Sequence, residues 1–212
     1  LAKANEIGCL LQVGMTERFN PAVQAALAIA DRPRYMVSER LGPFVGRSIE
    51  IDVIRDLMIH DLDIMLHLVR QPVSEIRAVG VPLITDQVDM ANVRLEFGDG
   101  TVAQLTASRA SLAKSRSIRL FTLSQYLSID CDARAVKAVK RLPPKEGQDW
   151  PQIMPQAVDV VADQDPLAAQ LDNFLSAIRG EAAPMVDGRQ AVRSLRVAED
   201  IINTIQIPIA DS

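Results

Sequence analysis

Residues 56–63 read DLMIHDLD and carry one of only two histidines in the 212-residue chain. On a helix, Asp56, His60, Asp63 and His67 fall at i, i+4, i+7 and i+11, so they form one continuous stripe. A carboxylate one turn from an imidazole raises its pKa and fixes the ring orientation. Such a pair suits general-base removal of a hydroxyl proton, or its return to a carbonyl as general acid. Leu57, Met58, Ile59, Leu62, Ile64, Met65 and Leu66 fill most of the remaining circumference, which predicts a largely buried helix. Its polar stripe must then face water or a lined cavity, because buried charge without partners is costly. Two readings follow: a solvent-facing stripe with an ordinary Asp56–His60 pair, or a proton-transfer site. Two aspartates and two histidines could ligate a metal, but a stripe of about three turns is too long for one ion to collect all four. No metal site is expected.

The flanking sequence predicts the elements that position this stripe. LAKANEIG reads as a helix ended by Gly8, and CLLQVG as a strand. NPAVQAALAIADRP reads as a helix with Asn20 as N-cap and Pro21 at its first position. A strand near RYMVSERL and a loop, GPFVGRS, precede the stripe helix, which runs to about Val69. From Ser74 the pattern turns to short β-rich runs: EIRAVGVPL, MANVRLEF, TVAQLTASR, SIRLFTL, QYLSID and AVKAVKR. Asp99-Gly100 marks a hairpin between two of them. Residues 142–163 read as a long surface excursion, and residues 164–206 as two closing helices, the second with Asp187 and Gln190 at capping-box spacing. The expected fold is a single α+β domain over residues 1–212, a large open, mostly antiparallel sheet with helices on one face. The other sheet face is only moderately polar and could serve as an oligomer contact.

Bulk properties exclude several classes. A formal charge of −4 argues against nucleic-acid and anionic-membrane surfaces. No apolar run approaches the roughly 20 residues of a membrane span. Cys9 and Cys131 read as reduced core residues in a cytoplasmic setting. One match to the dinucleotide fingerprint, GDGTVA at Gly98 to Ala103, is followed by a strand rather than a helix, so it cannot aim a helix N-terminus at a pyrophosphate. The chain therefore has no nucleotide cradle of its own. Its opening on Leu1, in a helix without a cap, reads as a fragment.

LQVGMTERFNPAV, DLMIHDLDIMLHL and the closing PMVDGRQAVRSLRVAEDIINTI together resemble the second half of the glucose–fructose oxidoreductase, inositol dehydrogenase and MocA family. The resemblance implies an NAD- or NADP-dependent dehydrogenase whose N-terminal Rossmann domain, absent here, holds the cofactor. This chain would then be the substrate-binding and catalytic half, inactive alone and homo-oligomeric through its open sheet. The resemblance makes His60 the catalytic acid/base and Asp56 its partner, with Asp63 contacting a substrate hydroxyl. It places Thr16, Glu17 and Arg18 in a pocket-lining turn and lets Glu39 reach the same cavity. The family's Glu-Lys-Pro motif is absent. The implied substrate is a sugar, cyclitol or nucleotide sugar, the last preferred, with Arg47 the one candidate for a phosphate. The competing possibility is a non-catalytic oligomerisation or sugar-binding module.

Overall fold

The computed structural model describes residues 1–207. Helix α1 (Ala2–Glu6) is short and ends near Gly8, whose φ of 65° is accessible to glycine without strain. The expected CLLQVG strand does not form. That segment makes one isolated antiparallel bridge, from Gln12 to Asp187, and Cys9 is exposed rather than in the core. A 3₁₀ turn (Thr16–Phe19) leads into α2 (Pro21–Ile29), where the Asn20 side chain accepts the Ala22 N–H at 3.0 Å as the sequence predicts.

The strands are β1 (Tyr35–Leu41), β2 (Val73–Val81), β3 (Met90–Phe97), β4 (Val102–Ser108), β5 (Ser115–Phe121), β6 (Gln125–Asp130), β7 (Ala135–Leu142) and β8 (Gln152–Gln156). They form one sheet in the order β2-β3-β4-β1-β5-β6-β7-β8, antiparallel except where β1 lies parallel to β4. Residues 142–163, expected as a surface excursion, are mostly exposed but include the unexpected strand β8. Pro151 and Pro155 argue against a strand, but β8 is an edge, where a missing N–H costs no ladder bond on the open side.

Helices α3 (Ile59–Leu68), α4 (Pro166–Ile178) and α5 (Gly188–Thr204) complete the fold. Strands β1, β3 and β4 alternate buried and half-buried residues, so one sheet face meets the helices and the other is only partly covered by its own side chains. Phe97, Leu95, Leu105, Ile118 and Leu120 of the inner face join Met58, Leu62 and Met65 of the α3 region in a single core. Asp187 caps α5 through the N–H groups of Arg189 and Gln190, both at 2.8 Å, whereas Gln190 Oε1 is buried without a partner. Half of the expected capping box is formed. No helix among the described residues is long and apolar enough to cross a membrane.

Candidate functional site

His60 reaches its position through an irregular helix start. The Asp52 carboxylate accepts the N–H groups of Ile54 and Arg55, each at 3.0 Å, and opens a π-helical segment (Ile54–Met58) that runs into α3. The wide turn closes with the Ile59 N–H on the Ile54 carbonyl, five residues back. Both Asp56 and His60 line a cleft of about 560 Å³ that also takes in Thr16, Glu17, Arg40 and Arg116.

The expected Asp56–His60 pairing is not made. His60 Nδ1 is buried and has no hydrogen-bond partner. A π turn holds more residues than an α turn, so side chains four apart no longer stand above one another. The imidazole pKa moves down instead of up. Burial is the main cause, and the Arg40 guanidinium adds to it. The ring is therefore neutral at physiological pH, with Nδ1 buried in the protein and Nε2 free of any protein hydrogen bond.

Of the charges beside His60, the sequence reading names Glu17 but not Arg40 or its bond to Asp61. Arg40 sits between two acidic groups, donating to Asp61 at 2.6 and 3.2 Å and to Glu17 at 2.9 Å. Asn20 Nδ2 donates to the other Glu17 oxygen at 2.9 Å and to the Cys131 carbonyl, also at 2.9 Å. Burial alone would raise the Glu17 pKa, but Arg40 and Asn20 outweigh it and hold the carboxylate ionised. Burial pushes the Cys131 thiol up, so it is an uncharged wall of the cleft.

The stripe divides. Asp56 and His60 face the cleft, whereas Asp63 is buried against Arg18, which donates to it at 3.1 Å and to His67 Nδ1 at 2.9 Å. Asp63 and Arg18 therefore line a separate small cavity with His67 and Ser194, which corrects their placement as substrate contacts in the His60 pocket. Burial first, then Arg18, brings His67 down to about 4, consistent with a ring that accepts from a guanidinium. Glu39 is corrected too. It lies on the opposite sheet face from its neighbour Arg40 and pairs with Arg119 at 3.4 Å. Thr16 and Glu17 do line the cleft, and Thr16 Oγ1 is tied to Gln170 at 3.1 Å. Arg47 lines it as well.

Among the described residues no three His, Cys, Asp or Glu side chains sit together as a metal site. Gly98 to Thr101 form the β3–β4 turn, with Gly100 at a φ of 79°, and Val102 and Ala103 already belong to β4, so the residues present do not fit a dinucleotide cradle.

Comparison with known proteins agrees with this architecture. Residues 34–129 match the GFO/IDH/MocA C-terminal domain. The chain is 38% identical over 203 residues to a UDP-N-acetylglucosamine 3-dehydrogenase of Acidithiobacillus ferrooxidans, covering 93% of this chain and 63% of that protein. A solved structure of that dehydrogenase superposes with a TM-score of 0.85 at 36% identity, over 96% of this chain and 64% of that one. A putative myo-inositol dehydrogenase from Sinorhizobium meliloti shares the fold at 17% identity and a TM-score of 0.71, over 95% of this chain and 64% of that one. The chain thus spans less than two thirds of the length of these relatives. Its eight-stranded sheet, helical layer and matched segment are those of a GFO/IDH/MocA C-terminal domain.

Proposed function

We propose that this chain is the substrate-binding and catalytic half of an NAD(P)-dependent dehydrogenase that oxidises a hydroxyl of a sugar-like substrate, with His60 as general acid/base. The observation that carries this reading is the neutral His60 imidazole on the wall of a roomy cleft of charged groups, with Nδ1 turned into the protein and Nε2 left as the ring nitrogen open to a substrate. A neutral ring that spends no hydrogen bond on the protein is free to take a hydroxyl proton. Glu17, Arg40 and Asp61 form a fixed charge network behind it, a wall that shapes the cleft without having to move. The nicotinamide, when held by the parent's other domain, supplies the hydride chemistry. This chain orients the substrate and handles the proton.

The substrate class is a nucleotide sugar, a reading supported by the relative that is named as a UDP-N-acetylglucosamine 3-dehydrogenase and is 38% identical. The parent assembles with copies of itself through the open sheet face. On β1 that face carries Tyr35, Val37 and Leu41 with Glu39, which is paired to Arg119, against Met36, Ser38 and Arg40 turned inward. Tyr35, Phe121 and Tyr126 extend it as a ring cluster with centroids 5.9 and 4.9 Å apart.

The test is His60→Ala in the full-length parent. Expected is a fall in kcat of about 10²–10⁴-fold with assembly unchanged. Unchanged turnover would remove His60 from the mechanism.

A further inference from the structure

The His60 cleft continues past Asp56 and Leu57 into a side groove of about 230 Å³, and the two share Arg40, Arg47 and Arg116. The groove is apolar on one side, where Pro43, Phe44 and Val45 project from the loop after β1. Phe44 is 40% exposed and Val45 67%, an open apolar patch that a ligand could cover. The other side is cationic. Arg47 makes no ion pair among the described residues, and Lys114 and Arg116 share one carboxylate, Asp132, at 2.7 and 3.8 Å. Arg134, also on the cleft, donates to the carbonyls of Ala162 and Gln164 and to no carboxylate. Four cations thus face Asp56 and Asp132, a local positive excess in a chain whose formal charge is −4.

The loop that presents Phe44 and Arg47 is fixed in place. Arg109 donates to the carbonyls of Ser48 at 2.7 Å and Ile51 at 2.8 Å, and is itself held by Asp89 at 2.7 Å. The Gly42 N–H bonds the Ser108 carbonyl at 2.9 Å. Gly46 and Ser48 take φ values of 67° and 54°, and for the serine this is a conformation that L-residues seldom adopt. A backbone held this way presents its side chains before any ligand arrives, which lowers the ordering cost of binding.

We infer that the groove is a nucleoside diphosphate subsite: the base seats against Phe44 and Val45, and the diphosphate lies over Arg47, Lys114 and Arg116. This rests on the reading of the His60 cleft as the sugar-hydroxyl site, since it leaves the sugar at the imidazole. An apolar ring face beside a cluster of flexible cations matches a base and its phosphates in that order.

The test is calorimetric titration of this 212-residue chain with UDP and, separately, with inorganic pyrophosphate. UDP should bind one to one, and more tightly than pyrophosphate. Phe44→Ala should weaken UDP about tenfold or more and leave pyrophosphate unchanged, whereas Arg47→Ala and Arg116→Ala should weaken both. Thermal melts of the Phe44 and Arg47 variants should match the unmodified chain, because both side chains are exposed. Absence of UDP binding, equal affinity for pyrophosphate, or variants that bind UDP like the unmodified chain would each overturn the inference. UDP binding requires no hydride transfer. A parent that binds UDP through these residues but oxidises nothing would sink the dehydrogenase reading alone. One that oxidises a free sugar and ignores UDP would sink the groove alone.

Discussion

Two side chains define the chemistry and the cost of the cleft. His60 has a pKa below the ordinary 6.5, because its charged form is disfavoured by burial and then by Arg40. The sign follows directly: the base form persists as pH falls past 6.5, so the acid limb of kcat/KM for hydroxyl oxidation should lie below that value. A partnering Asp56 would have moved the limb above it, and a pH–rate profile of the parent separates the two. Arg40 carries the structural cost. Removing it strands Glu17 and Asp61, two carboxylates that it holds with its own side chain only 5% exposed. Arg40→Met should therefore destabilise the fold by about 3–5 kcal/mol, measured by denaturant unfolding. Neither effect could be read from residue spacing. Asp61 is visible in DLMIHDLD, but its partner lies 21 residues earlier on another element.

Among the elements, the one that departs from regular geometry explains most of what the sequence concealed. The stripe from Asp56 to His67 assumes uniform 3.6-residue winding, and Ile54–Met58 breaks it. Helix presence, the Asn20 and Asp187 caps and six of the seven strands beyond β1 were legible, because each rests on local periodicity or a local hydrogen bond. The facing of β1 was not. Its alternation is plain, but which side turns inward is not, and it is Arg40 rather than Glu39 that reaches the cavity. Asp52, unmarked in the sequence reading, starts the π segment and also accepts Arg55 Nη1 at 2.6 Å, while Arg55 reaches Glu199 of α5 at 2.8 and 2.9 Å. Asp52→Ala should cost about 1–2 kcal/mol by thermal unfolding and, in the parent, lower turnover by loosening the helix start that carries His60. A variant with unchanged stability would show that the cap is redundant.

At the scale of the whole molecule, the sheet presents one face to the helices and leaves the other half-covered. Placing a charge among Tyr35, Phe121 and Tyr126 tests what that face does. Phe121→Lys should shift the parent to smaller species in light scattering while leaving the fold intact; an unchanged mass would place the assembly surface elsewhere. The position of β1 has another consequence. It is made early in the chain, yet it lies between β4 and β5, which end at Ser108 and Phe121. During synthesis, the strand that delivers Arg40 must wait for both neighbours, across a separation of the kind that slows folding. Until Phe121 has emerged, the strand that carries Arg40 lacks one of its two neighbours, and Arg134 and Pro166 of the cleft come later still, so the nascent chain completes its cleft late.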